Sequence, residues 1–213
     1  MQTVYSARQI NPDAGDHAVP GDPRELEAAV RAGERSWEAF PYYALRYGER
    51  GTRFASSDSA WLAVAARDGQ AELDRQVLWL GRVLSSRGMP QWLMERHLEF
   101  MHQELAAAVP EHAAEYATLA AAAAMLHGER ARILPDERFD ALAREFDAAA
   151  GEEWARRLPG MGEILVSAAV DVRLDIPNAA ESLEGWIVEQ SHLPFPWRDA
   201  ALRTLRSARE AAR

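Results

Sequence analysis

Three arginines and three tyrosines lie close together between residues 42 and 61, and their chemistry suits the binding of an anion. Arg46, Arg50 and Arg53 follow the spacing i, i+4 and i+7, so a continuous helix would present their guanidinium groups on one face. Guanidinium groups bind carboxylates and phosphates through paired hydrogen bonds. The segment therefore predicts a ligand- or partner-binding surface, formed by these arginines with Tyr42, Tyr43, Tyr47 and Trp61.

The same segment also has a structural interpretation. Arg46 could pair with Glu49, Arg53 could pair with Asp58, and the arginines could lie over neighbouring aromatic rings. Such contacts would fix the fold and leave little for a ligand. Both interpretations remain open at the level of the sequence.

Two Glu-x-x-His patterns, Glu99 with His102 and Glu189 with His192, carry the ligands that di-iron bundles use. In such bundles these side chains project into the core. Helical periodicity instead places Glu99 about 140° from the apolar stripe of its helix, and it turns Glu189 and His192 away from the apolar side of theirs. The patterns therefore predict no shared metal site, and the four residues remain minor candidates.

His97 is the remaining histidine with a possible ligand role. It lies about 60° from the centre of the apolar stripe on its helix, where an imidazole could be an axial haem ligand. The structural alternative is a boundary histidine whose ring bonds a neighbouring polar group. No cofactor is predicted, and haem or histidine- and carboxylate-bound iron with a sensing or oxidative role is the alternative.

The composition excludes several enzyme classes. The 213 residues include no cysteine, which excludes thiol catalysis, disulfides and iron–sulfur clusters. They also include no lysine, which excludes a Walker lysine and a Schiff-base lysine. No Gly-x-Ser-x-Gly or His-Glu-x-x-His motif occurs, so a non-enzymatic protein is favoured. The bias toward arginine and alanine is typical of a GC-rich bacterial genome.

Charge and hydropathy indicate where the protein acts. The net charge of −9 argues against a nucleic-acid binder, which needs a basic face. No apolar run approaches the roughly 18 residues of a membrane span. The amino terminus also lacks the apolar core of a secretion signal. These features predict a cytoplasmic protein that binds neither nucleic acid nor membrane.

The elements that must position these residues are all helices. An antiparallel hairpin over 71–87 and 90–108 is the predicted centre, with Gly88 and Pro90 at its turn. Leu98, Met101 and Leu105 form part of its apolar stripe. The apolar run 164–172 fits a buried helix or a buried strand, and helix is favoured because no partner strand is evident. The prediction is a compact, irregular all-α bundle of about eight or nine helices.

The domain prediction is a flexible arm over residues 1–21 and a single helical domain over 22–213, with a seam near 134–136. The functional prediction is a cytoplasmic binding or regulatory module without catalytic activity. Its partner would be a small anionic molecule or a protein that contacts the Arg/Tyr surface. Seven tryptophans leave homodimerisation open, because any exposed ones would mark an association surface.

Overall fold

The computed structural model describes residues 6–213, which form eleven α-helices, a single 3-10 turn and no strand. The all-α prediction is confirmed. The α-helices are α1 Ala7–Ile10, α2 Pro23–Ala39, α3 Tyr42–Ala65, α4 Gln70–Ser85, α5 Gln91–Ala108, α6 Ala113–Ile133, α7 Asp136–Ala150, α8 Glu152–Arg157, α9 Met161–Arg173, α10 Ala179–Glu189 and α11 Phe195–Ala211. No helix within residues 6–213 is both long enough and apolar enough to cross a membrane.

The turn between α4 and α5 follows the predicted chemistry. Gly88 has φ +91°, the left-handed conformation that glycine adopts without strain. Its amide donates to the Ser85 carbonyl, and the Met89 amide donates to the Leu84 carbonyl, which completes a Schellman motif. The buried carboxylate of Asp171 in α9 then accepts hydrogen bonds from the Ser85 hydroxyl at 2.5 Å and the Gln91 amide at 2.9 Å. A distant side chain thus fixes the turn that the local sequence specifies.

Helix α4 is less buried than its apolar composition suggests. Leu73 and Val77 are fully buried. Trp79 is instead 55% exposed. It follows Val77 by two positions, roughly 200° around the helix, so it faces away from the stripe that packs. The apolar residues of this helix are therefore not all part of the core.

The chain divides into two compact units. One contains residues 6–77 together with Glu95–Ala124, and the other contains Leu78–Met94 and Met125–Arg213. The dividing positions fall inside α4, α5 and α6, and none falls at the seam proposed near 134–136.

The first unit is built on the close packing of α2 against α3. Asp22 caps α2 by accepting a hydrogen bond from the Arg24 amide at 2.8 Å. The helix passes through Gly33, a residue that favours helix ends, and reaches Ala39. Gly33 lies against α3, where an added Cβ would come within 3.3 Å of the Ser59 hydroxyl. The glycine is therefore used for close helix packing, and packing overrides its tendency to end a helix.

Residues 6–21 also belong to the folded part of the first unit. Ser6 caps α1, and Ala7, Ala14 and Val19 pack with Ala60 of α3 in one apolar cluster. This portion of the predicted flexible arm is thus packed against α3, because its small apolar side chains fit beside that helix. The remainder of that prediction, residues 1–5, lies outside the described residues.

The second unit surrounds a buried helix. The run 164–172 lies within α9, so the choice of helix over strand is confirmed. Nearly every residue of α9 is buried, which explains why its sequence shows no amphipathic period. Helix α7 approaches it closely at Gly162, where an added Cβ would lie 2.6 Å from the Ala143 carbonyl oxygen. The aromatic ring of Phe146 meets Trp197 edge-on at 5.7 Å in the same unit.

Candidate functional site

The Arg/Tyr segment, residues 42–61, lies on α3, and α3 is kinked within it. Gly48 has φ +53° and ψ −157°, which are not helical values. Only glycine reaches such a conformation easily, because it lacks a Cβ. The kink separates Arg46 from Arg50 and Arg53, so the i, i+4, i+7 spacing no longer places the three guanidinium groups on one continuous helical face. The spacing rule assumes helical φ and ψ values at every intervening residue, and Gly48 does not have them.

Two of the three tyrosines lie in the core instead of on a surface. Tyr42 is completely buried and Tyr43 is 8% exposed. Tyr43 stacks on Trp37 of α2 with ring centroids 5.4 Å apart. Burial raises the pKa of both phenols, so neither ionises in the ordinary range. These two residues cannot contact a ligand directly and instead form the rigid base of the segment.

Arg46 is held by its own neighbours. Its Nη1 donates a hydrogen bond to the Tyr42 hydroxyl at 2.7 Å. Its guanidinium carbon lies 5.4 Å from the Tyr47 ring centroid and 5.8 Å from that of Tyr42. Half-buried Tyr47 also meets Tyr42 edge-on at 6.1 Å. Arg46 therefore matches the structural interpretation, in which arginine lies over aromatic rings.

Among the predicted binding residues, Arg50 and Arg53 are the exposed ones. The Arg50 side chain is 73% exposed, and its Nε lies 3.7 Å from the Asp13 carboxylate, a loose contact. It also lies over the Phe54 ring at 5.6 Å. Half-buried Trp61 lies farther along α3 and packs beside the His17 ring at 5.2 Å. Of the predicted binding residues, these two arginines are free to meet a partner.

His97 lies in a network of serine hydroxyls. Its Nδ1 is 2.8 Å from the Ser36 Oγ, and its Nε2 is 3.1 Å from the Ser59 Oγ. Each serine oxygen also lies within hydrogen-bond distance of the carbonyl four residues earlier, at 3.1 Å for Ala32 and 2.6 Å for Ala55. Both ring nitrogens are engaged, so an axial bond to haem would require the ring to leave its serines.

The network has one hydrogen fewer than its contacts require. The four contacts each need one hydrogen, but two hydroxyls and a neutral imidazole supply three. A second ring proton on His97 would complete the set. Burial opposes that charge, however, and lowers the pKa of His97 to about 4. His97 is therefore a neutral packing residue near pH 7.

The two Glu-x-x-His patterns have separate local partners. Glu99 pairs with Arg96 on α5, and His102 Nδ1 lies 3.0 Å from the Tyr116 carbonyl oxygen. Glu189 ends α10, so His192 lies beyond the helix, and both are exposed. Across residues 6–213 no group of three or more histidine, aspartate or glutamate side chains is arranged to hold a metal ion.

A polar network around the buried carboxylate of Glu25 in the first unit was not anticipated from the sequence. Glu25 lies in the first turn of α2, and its carboxylate is 1% exposed and accepts hydrogen bonds from Tyr116 and from Arg67 at 3.2 Å. Arg67 extends the network by donating from Nε to Glu115 at 2.9 Å. Burial and the Glu25 carboxylate raise the pKa of Tyr116. The partners are 42 and 91 residues from Glu25, so no local pattern reveals the network.

No protein-family model matches the chain, and neither a curated protein nor a solved structure matches it. The functional information in this chain lies in its own side chains. These place exposed arginines on α3 and a buried carboxylate network near the end of the same helix.

Proposed function

We propose that the protein is a non-catalytic binding module that recognises an acidic segment of a partner protein through Arg50 and Arg53. The observation that carries the proposal is the exposure of both arginines on the same stretch of α3, after its kink. Residues 42–61 hold three arginines and two acids, a charge of +3 − 2 = +1, within a chain of net charge −9. This local excess would attract an acidic partner that the rest of the chain repels.

The base of this surface supports recognition. Buried Tyr42 and Tyr43 hold the start of α3 against α2, and Arg46 is fixed over the aromatic rings. Beyond its kink, the part of α3 that carries the exposed arginines packs closely against Gly33 of α2 through Ser59, so this backbone is also ordered before a partner arrives. Preorganisation of this kind lowers the entropic cost of binding.

A protein segment fits this surface better than a small anion does. Arg50 and Arg53 project from a helix, whose outer surface is convex and encloses little of a small ligand. Leu45, 40% exposed, offers an apolar contact in the same segment.

Homodimerisation, which the tryptophan content leaves open, stays a prediction. Trp79 is 55% exposed and is the tryptophan that such an interface would cover.

The test compares two charge-matched double variants. Arg50→Gln with Arg53→Gln removes the proposed contacts. Arg156→Gln with Arg157→Gln removes two exposed arginines of α8, which pair with Glu152 and Glu153. Binding of a fluorescein-labelled oligoglutamate peptide is measured by fluorescence anisotropy at low and physiological salt. Inorganic phosphate, followed by chemical-shift changes, serves as the small-anion comparison.

We expect the α3 variant to bind the peptide about 5- to 30-fold more weakly, since two exposed ion pairs of about 0.5–1 kcal/mol each contribute about 1–2 kcal/mol together. The α8 variant should retain the wild-type affinity. The proposal is rejected if the wild-type protein does not bind the peptide or if both variants lose affinity equally. Tighter binding of phosphate than of the peptide would overturn the choice of a protein partner.

A further inference from the structure

A cavity of about 530 Å³ opens in the first unit, beyond the carboxyl end of α3 and away from Arg50 and Arg53. Its walls come from the loop before α2, from α2 itself, from the end of α3 and from the start of α6. This volume falls within the range of small-molecule sites, which is about 300–1,000 Å³. Every lining residue belongs to the same unit.

The polar part of the cavity is acidic. Glu25, Asp68 and Glu115 line it together with one cation, Arg67, which gives a formal charge of −3 + 1 = −2. Arg67 already donates to both Glu25 and Glu115, so its charge is shared between two carboxylates. The hydrogen bond from His112 and the charge of Arg67 lower the pKa of Glu115, which therefore stays ionised near neutral pH.

The carboxylates keep capacity to accept further hydrogen bonds. An ionised carboxylate accepts about four. Asp68 is exposed, so its carboxylate is accessible to a ligand. Glu25 lies on the buried side of the cavity, where its Oε2 receives one long contact of 3.3 Å from Arg67. Donors from a ligand can be accommodated at both positions.

The remaining walls are apolar. Val19 and Pro20 are largely buried parts of the loop before α2, and Val64 lies one turn before Arg67 on the carboxyl end of α3. An aliphatic chain could lie against these side chains while a cationic head reached the carboxylates. An acidic pocket with an apolar wall therefore selects against anions and against fully hydrated ions.

We propose that this cavity binds a small organic cation, an ammonium or guanidinium group carried on a short aliphatic chain. The head group lies among Glu25, Asp68 and Glu115, and the chain contacts Val19, Pro20 and Val64. A metal ion is a poorer occupant, because no cluster of three or more suitable side chains occurs within residues 6–213. This site is independent of the surface formed by Arg50 and Arg53, so disproof of either proposal would leave the other intact.

The probe is n-butylammonium. Butyrate, which is negatively charged, and butanol, which is uncharged, are the comparison ligands with the same number of carbon atoms. Binding is followed by amide chemical shifts of the ¹⁵N-labelled full chain at constant ionic strength. Asp68→Asn and Glu115→Gln each remove one negative charge from the cavity. Glu27→Gln removes one negative charge from an exposed position of α2 outside the cavity and is the matched control.

We expect n-butylammonium to shift amides around Val19, Val64 and Glu115, with an affinity in about the millimolar range for so few atoms. Asp68→Asn and Glu115→Gln should each weaken binding severalfold, whereas Glu27→Gln should leave it within about twofold. Equal binding of butyrate or butanol would overturn the choice of a cation. Shifts outside the cavity, or equal weakening by the control variant, would overturn the site.

Discussion

The His97 network predicts a specific loss of stability in mild acid. The unfolded imidazole has a pKa near 6.5, whereas burial lowers the folded pKa to about 4. Between these values the unfolded chain binds a proton that the folded chain does not. The free energy of unfolding should therefore fall as the pH drops from about 6.5 to about 4 and change no further below that through this group.

The magnitude follows from the same difference. A shift of about 2.5 pKa units at about 1.4 kcal/mol each corresponds to a loss of about 3 kcal/mol between neutral pH and pH 4. This is an upper value, since the folded protein can relax around the charged ring. A typical domain is stable by about 5–15 kcal/mol, so the effect is large enough to measure.

The assay uses urea unfolding followed by circular dichroism across this pH range. His97→Gln cannot take up the proton, and His192→Gln is the control because His192 is exposed. Carboxylates also titrate here, so the informative quantity is the difference between the wild-type and variant pH profiles. His97→Gln should flatten the loss by about 3 kcal/mol, and His192→Gln should leave the profile unchanged. A parallel profile for His97→Gln would refute the reasoning.

Two further predictions concern the second unit. Glu163→Gln should raise the free energy of unfolding by about 1 kcal/mol near pH 7 and have little effect near pH 4. The buried Glu163 Oε2 has no hydrogen-bond partner among residues 6–213. Burial and the nearby Asp147 charge also raise the pKa of Glu163 in the folded protein. The Glu163 carboxyl therefore stabilises the fold fully below its unfolded pKa, and this contribution is lost as the pH rises through the folded pKa. Urea unfolding at the two pH values would contradict the prediction if the substitution destabilised the protein at both. Gly162→Ala should lower stability by about 1–3 kcal/mol in thermal unfolding, because the new Cβ would lie 2.6 Å from the Ala143 carbonyl oxygen. Gly185→Ala, in a helical position with open space around it, should instead be neutral or stabilising, and equal losses in both variants would exclude a packing cause.

The sequence predicted those parts of the fold that depend on local signals. The helices expected over 71–87 and 90–108 are observed as Gln70–Ser85 and Gln91–Ala108, because Gly88 and Pro90 specify the turn between them. Leu98, Met101 and Leu105 are fully buried, as their period requires. Periodicity and turn residues act over a few positions, so a single chain reveals them.

The candidate site was less predictable, because its properties depend on distant contacts. Tyr42 and Tyr43 look like ligand-binding residues beside arginines, yet neighbouring aromatic rings and α2 bury them. Glu25 looks like a helix-cap residue, yet its carboxylate bonds Tyr116, 91 positions away. No spacing rule connects such partners. A glycine such as Gly48 also occurs within regular helices, so only its φ of +53° shows that a kink divides the arginines.

The division of α4, α5 and α6 between the two units limits how the chain can be dissected. Each unit is assembled from two separate stretches of sequence. Any contiguous fragment that holds one unit whole must therefore carry part of the other. A truncation after residue 77 would sever α4 in its middle and deprive the first unit of Glu95–Ala124. Substitutions in the intact chain, and not domain deletions, are thus the sound way to assign a role to either unit.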